Sequence, residues 1–140
     1  MLDRDEIARL IPHAGTMVLL DRVVAWDDRT ITCVARSHRA PDNPLRQDGA
    51  IAGLCGIEFC LQASAVHGAL MAGERQPVGY LVRLGDVSIA VESLDDLGEE
   101  LVVHAEIVHS LPNGHSYSFT LGGAEGAPAV HGRATIALVG

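Results

Sequence analysis

Hydrophobic and polar residues change their rhythm several times along the chain, and each change marks an element. Asp3-Arg4-Asp5-Glu6 opens a short helical segment with Asp3 as N-cap and Glu6 three positions on, a capping-box pattern, and Pro12 ends it. The run from Met17 to Trp26 is rich in β-branched residues, and Arg29 to His38 alternates with period two. Asp27-Asp28 between them predicts a turn, hence a hairpin. Arg39–Gly49, with two prolines, an asparagine and a glycine, predicts the one long irregular connection. Ala50–Ala72 is apolar nearly all the way round, which predicts a buried central helix. Strand patterning then returns over Val78–Val91, Glu99–Ser110, His115–Leu121 and Ala129–Val139, with turn clusters between them.

A long apolar helix set between a hairpin and four strands predicts an α+β fold, an antiparallel sheet curved around the helix. A single sheet leaves one flank of such a helix bare, so a second subunit is expected to cover it. The 140 residues fit one compact domain, residues 1–140.

Composition narrows the function. Ten Lys and Arg against 18 Asp and Glu give a formal charge of −8, the wrong sign for gripping phosphate backbones, so no nucleic-acid partner is expected. Apolar runs such as Met17–Leu20 and Leu101–Val103 fall far short of the roughly 20 residues of a spanning helix, and Met1–Asp5 is charged, so the expectation is a cytoplasmic protein with no membrane partner. Cys33, Cys55 and Cys60 cannot all pair. Cys55 and Cys60 lie roughly 140° apart on a helix, which argues against a metal-ligand pair and for reduced, mostly buried thiols. With 15 glycines and only five Trp, Tyr and Phe, the core must be built from aliphatic residues in closely approaching elements.

The chemistry-bearing candidates lie on and before the helix. Glu58 and Gln62, four apart, share a face as the helix's only acid and only amide. A carboxylate there loses hydration and holds its proton more tightly, as a general acid requires; the alternatives are a solvated groove or an arginine partner. Of seven histidines, His38 lies where the second strand enters the irregular connection, 20 residues before Glu58, and its loop can reach the helix's first half. His67, about 900° on from Glu58, falls on the far side. Gly53 and Gly56 near the helix start either admit an acyl carbonyl to free N–H groups or serve close packing against the sheet.

Leu10-Ile11-Pro12-His13 followed by Val18-Leu19-Leu20-Asp21-Arg22-Val23 resembles the opening of the 3-hydroxyacyl-acyl-carrier-protein dehydratases, which have the hot-dog fold. Their central helix is similar to Gly53–Ala63 at matching spacing: glycine, glutamate five later, glutamine four after that, then alanine. Leu97–Leu101 and His131-Gly132-Arg133-Ala134 extend the likeness over nearly the whole chain. The resemblance implies Glu58 as catalytic carboxylate and Gly53, with its neighbour Leu54, as the place that binds the thioester carbonyl; Gln62 and Asn43 are further candidates for substrate contact. It breaks at the family's Gly-His-Phe-Pro stretch, whose histidine position, 14 residues before the glutamate, is Pro44 here. The divergence looks like the aryl-polyene-type subgroup, with His38 as the displaced catalytic histidine; His13 matches a family histidine that is not the catalytic one.

The implied activity is dehydration of a 3-hydroxyacyl thioester, carried by 4′-phosphopantetheine on an acyl carrier protein, to a trans-2-enoyl thioester, with no cofactor and no metal. The rivals are a hot-dog thioesterase and a non-catalytic acyl-binding subunit of a hot-dog heterodimer. The oligomer is expected to be a homodimer or a hetero-oligomer with another hot-dog protein. Carrier proteins are acidic, so docking on a chain of charge −8 requires a local basic patch, for which Arg39, Arg46, Arg75 and Arg83 are candidates.

Overall fold

The computed structural model describes residues 1–76 and 79–138, so Val78 and Val139 of the expected strands lie outside the described residues. Strand β1 (Leu2–Asp3) leads into helix α1 (Arg4–Leu10), whose capping box is complete: Asp3 accepts from the Glu6 N–H at 2.9 Å and Glu6 from the Asp3 N–H at 3.1 Å. Strands β2 (Arg22–Trp26) and β3 (Thr30–Ala35) form the expected hairpin. Its turn is fixed by Asp27, whose carboxylate accepts the N–H groups of Arg29 and Thr30 at 2.9 and 2.8 Å.

Both strands are shorter than the pattern predicts, for identifiable reasons. Gly15–Met17 is a 3₁₀ turn, and the backbone of Met17, Leu19 and Leu20 bonds to the Gln62 amide instead of a neighbouring strand. Val18, Leu19 and Leu20 are buried as core residues outside any ladder. At the other end β3 stops at Ala35, and Ser37–Arg39, with His38, is a 3₁₀ turn.

Helix α2 (Gly56–Ala72) follows a 3₁₀ turn at Gly53–Cys55, later than the expected start at Ala50. Ala50 is paired with Gln47, and the residues after it are claimed by the segment after β4: Ala52 bridges Ser93, Gly53 donates to the Glu92 carbonyl at 2.7 Å, and Leu94 donates to the Ile51 carbonyl at 2.8 Å. The helix ends at Gly73, whose φ of 77° is the left-handed cap that glycine adopts without strain.

Strands β4 (Gly79–Ile89), β5 (Leu101–Leu111), β6 (Gly114–Gly123) and β7 (Val130–Leu138) complete a seven-stranded antiparallel sheet in the order β1-β2-β3-β5-β6-β7-β4. The α+β expectation of a sheet around a helix holds. Phe59, Cys60, Ala63 and Val66 of α2 bury against Ile31 and Cys33 of β3, Val103 of β5 and Phe119 of β6, forming the core. The 20-residue stretch Gly53–Ala72 is long and apolar enough to cross a bilayer by length and composition, which corrects the premise that every apolar run is far too short; here it is the core helix. Cys33 and Cys60 are buried, Cys55 is half-buried and all three are free. Burial pushes the Cys33 thiol up to about 12, so it stays protonated and inert.

Candidate active site

One stripe of α2 escapes the sheet. Glu58, Leu61, Ala65, Gly68 and Ala72 recur at spacings of three and four and are only partly covered, whereas Phe59, Cys60, Gln62, Ala63 and Val66 are buried. Against this stripe lies an apolar cavity of about 330 Å³, closed by the end of α1 and by the β4, β6 and β7 edge of the sheet. Its polar side chains include His13, Glu58, Gln62, His115 and Tyr117. Glu58 is the only carboxylate lining it among the described residues. It is exposed in the single chain, so the hydration loss expected of it is not met without a covering partner.

Gln62 shares the Glu58 face as expected, but its amide is committed to structure. Oε1 accepts from the Leu19 and Leu20 N–H groups at 2.7 and 3.3 Å, and Nε2 donates to the Met17 carbonyl at 2.8 Å. This clamp holds the segment after His13 against the helix one turn beyond Glu58. Arg4 reinforces it by donating to the Gly15 and Val18 carbonyls at 2.9 and 2.7 Å.

The residues assigned to bind substrate from sequence fare unevenly. Gly53 is a packing glycine: its N–H is taken by Glu92, and an added Cβ would fall 2.0 Å from the Val91 carbonyl oxygen. Gly56 likewise faces Val130, 3.2 Å from such a Cβ. Leu54 is 61% exposed, and its N–H makes no hydrogen bond among the described residues. Asn43 is buried and braces its own loop, donating to the Ser37 carbonyl at 2.9 Å and accepting from the Leu45 N–H at 2.9 Å; it does not line the cavity.

His38 is fully buried and also stands off the cavity lining. Its Nε2 donates to the Gly98 carbonyl at 2.6 Å, while Nδ1 is buried without a partner among the described residues. Burial, aided by the Arg39 and Arg46 charges and opposed by the Gly98 bond, lowers its pKa. Arg46 is tied to Asp95 at 3.1 Å and to the His38 carbonyl, which removes it from any docking patch. Burial alone would raise the Asp95 pKa, but bonds from Ser93, the Ile51 N–H and Arg46 hold it at about 2.

His67 lies away from Glu58 as expected. Because the Asp27 carbonyl can only accept, the His67 Nε2 carries the hydrogen at 2.8 Å, and Nδ1 accepts the Tyr117 hydroxyl at 2.8 Å. Burial lowers the His67 pKa and raises that of Tyr117. Sequence reasoning missed His13, His115 and Tyr117 as cavity residues. The last two sit at i and i+2 of β6, and that alternation was the available signal; for His13 the only cue was the Pro12-His13 pair ending α1.

A seven-stranded antiparallel sheet wrapped around one long helix, with a largely apolar cavity along the helix's bare stripe, defines a hot-dog protein. The chain belongs to the ApeP-like family of ApeP dehydratases, whose family model matches residues 5–137. Among solved structures it is similar to the dehydratase heterocomplex ApeI:P from Xenorhabdus doucetiae, with 24% identity, a TM-score of 0.83, and coverage of 96% of this chain and 91% of that one. Similarity extends to a thioesterase from Pseudomonas aeruginosa, with 18% identity, a TM-score of 0.57 and coverage of 84% and 80%. A thioesterase from Staphylococcus aureus is 13% identical, with a TM-score of 0.63 and coverage of 85% and 93%. No curated protein sequence matches the chain.

Proposed function

We propose that the chain dehydrates a 3-hydroxyacyl thioester, delivered on the phosphopantetheine arm of an acyl carrier protein, to the trans-2-enoyl thioester. The observation that carries this reading is Glu58, the one carboxylate among the described residues on an otherwise largely apolar cavity in a chain of a dehydratase family. Glu58 protonates the departing 3-hydroxyl, and a histidine removes the proton at C2. The Leu54 N–H, four residues before Glu58 and unoccupied, replaces Gly53 as donor to the thioester oxygen, where charge develops. His38 fills the role of base only in a site assembled between chains, because within one chain its ring turns to Gly98.

A second chain fits this reading for two reasons. Glu58 needs a cover to become the dehydrated acid the chemistry calls for, and the β4 edge exposes Tyr80, Val82 and Leu84 at 57%, 64% and 41%. We take the covering chain to be another hot-dog protein, as in the heterocomplex to which this chain is similar. That favours a second form of the reading, in which this chain supplies Glu58 and the cavity to a mixed assembly.

The test is turnover of a 3-hydroxyacyl thioester by the purified chain, alone and mixed with a related hot-dog dehydratase, with enoyl product and free thiol followed in parallel. Enoyl product that falls by about 10²-fold or more in Glu58→Gln is expected. Free thiol without enoyl product identifies a thioesterase instead, and no turnover in either setting rejects catalysis by this chain.

A further inference from the structure

We infer that the bare stripe of α2 is a ruler for the acyl chain, which passes Leu61, Ala65 and Gly68 in turn, and that Gly68 sets the longest chain accepted. The inference rests on the reading of the cavity as an acyl-thioester site and names the residue that gives that site its length specificity. Glu58, Leu61, Ala65 and Gly68 occupy successive turns of α2 and all line the cavity, whereas no α2 residue before Glu58 does so among the described residues. The room therefore lies on the C-terminal side of Glu58. With the thioester oxygen at the Leu54 N–H, one turn before Glu58, the tail of the substrate points this way.

The sheet encloses the same half of the helix. The start of α2 packs at the end of β4 and the start of β7, since a Cβ at Gly53 would lie 2.9 Å from Ile89 and one at Gly56 3.2 Å from Val130. The helix therefore runs toward the start of β4, the start of β6 and the end of β7. There Leu81, Ile136 and His115 are register partners on three adjacent strands and all line the cavity, with Gly79 and Leu138 paired in the same-face row beyond. A tail that leaves Glu58 along α2 is held between the helix stripe and these rows.

Gly68 stands out on this path. Glycine inside a helix is disfavoured against alanine, and close packing does not call for it here, because nothing among the described residues lies within 4 Å of a Cβ built at Gly68. The space that a side chain would fill belongs to the cavity. Gly68 is ten residues beyond Glu58, about 15 Å along the axis at about 1.5 Å per residue. An extended chain advances about 1.2 Å per bond, as a polypeptide does at about 3.5 Å per three-bond residue, so roughly a dozen bonds separate the carbon at Glu58 from the turn of Gly68. Ala65, seven residues on, is reached after roughly nine. Counted from C3, the chain passes Ala65 at about twelve carbons and Gly68 at about fifteen.

The experiment measures dissociation constants for octanoyl, dodecanoyl and hexadecanoyl amide analogues of the pantetheine thioester, which neither dehydrate nor hydrolyse. Calorimetry is run on the chain alone and in the mixed assembly, for wild type, Ala65→Val, Gly68→Ala and Gly68→Val. Gly68→Val is expected to weaken the hexadecanoyl analogue relative to the octanoyl one by about 10-fold or more while the dodecanoyl-to-octanoyl ratio is kept, and Gly68→Ala to act in the same direction more weakly. Ala65→Val moves the break one turn earlier, so the dodecanoyl ratio falls as well. Damage to the fold would weaken every length together, so the order of the two breaks separates a ruler from damage, and Gly68→Ala, the better helix former, carries the test if valine does not fold. A hexadecanoyl ratio unchanged in both Gly68 variants, or affinities that fall alike at all lengths, overturns the inference. A wild type that binds none of the analogues in either setting overturns the acyl-site reading itself, and is told apart by the missing wild-type affinity. A length ruler found beside an absence of enoyl product upholds the inference and rejects the dehydratase reading alone.

Discussion

Gln62 is the residue on which the site's geometry turns. It is 3% exposed and makes three hydrogen bonds to backbone that no strand neighbour satisfies. Gln62→Leu keeps the volume but strands the buried Leu19 N–H, so a loss of about 2–4 kcal/mol is expected, read as a shift of the urea midpoint at constant slope. Activity should fall further than the loss of stability accounts for, because the His13 segment loosens from the helix. His67 supports a second prediction. Burial holds its folded pKa below the ordinary imidazole value of about 6.5, so between the two values the unfolded chain binds the extra proton and stability rises with pH. The contribution is complete above about 6.5 and is lost as pH falls through the lower folded value. His67→Gln, which retains a donor and an acceptor, should flatten this slope in denaturation series between pH 7 and pH 5, and an unchanged slope would assign it to His38 and His115, which burial depresses in the same direction. At this scale the sequence was legible where spacing decides, as with Glu58 and Gln62 on one helical face. It was not legible where partners decide: nothing local announces that Gly98 holds the His38 ring, or that Glu92 occupies the N–H of Gly53.

Among elements, α2 is the one whose covering determines the rest. Its two kinds of glycine separate cleanly. A Cβ at Gly53 would lie 2.0 Å from a backbone oxygen and 2.9 Å from Ile89, whereas nothing lies within 4 Å of one at Gly68. Gly53→Ala must displace the segment after β4 and is expected to cost about 1–3 kcal/mol or more, as overpacking does. Gly68→Ala should stabilise the helix by up to about 1 kcal/mol while narrowing the cavity, so Tm rises as the longest accepted acyl chain shortens. Thermal melts and a chain-length series measure the two effects independently. Helix and hairpin were readable from hydrophobic period because each is set by local rhythm. The starts of β2 and α2 were not, since Met17–Leu20 and Ile51–Ala52 have the apolar content of their neighbours but give backbone groups to distant partners. Apolar content reports burial; only the partner of each N–H decides between strand, helix and link.

For the molecule as a whole, the unresolved force is at the β4 edge. An outer strand of 11 residues with exposed Tyr80, Leu81, Val82 and Leu84 presents unpaired backbone groups and apolar side chains together, an arrangement that isolated chains avoid because it invites pairing. Two features limit how it can pair. The bulges between Leu81 and Arg83 and between Gly85 and Ser88, with Asp86 at a φ of 53°, break the ladder and leave only short stretches, Gly79–Leu81 and Arg83–Gly85 the longest, in regular register. The charge of −8 also opposes the approach of identical chains and favours a less acidic partner. For the acidic carrier protein proposed above, a basic patch on this chain is an incomplete answer, since Arg46 is locked to Asp95, leaving Arg39, Arg75 and Arg83. A more basic hot-dog partner would supply both the cover for Glu58 and the missing positive surface. Val82→Glu, a change at a residue outside the cavity lining, is therefore expected to abolish assembly. Sedimentation should then report the 14.8 kDa single chain. Dehydratase activity should fall with the assembled fraction, and salt should strengthen self-association of the wild type while weakening its mixed assembly, because screening removes repulsion in one case and attraction in the other.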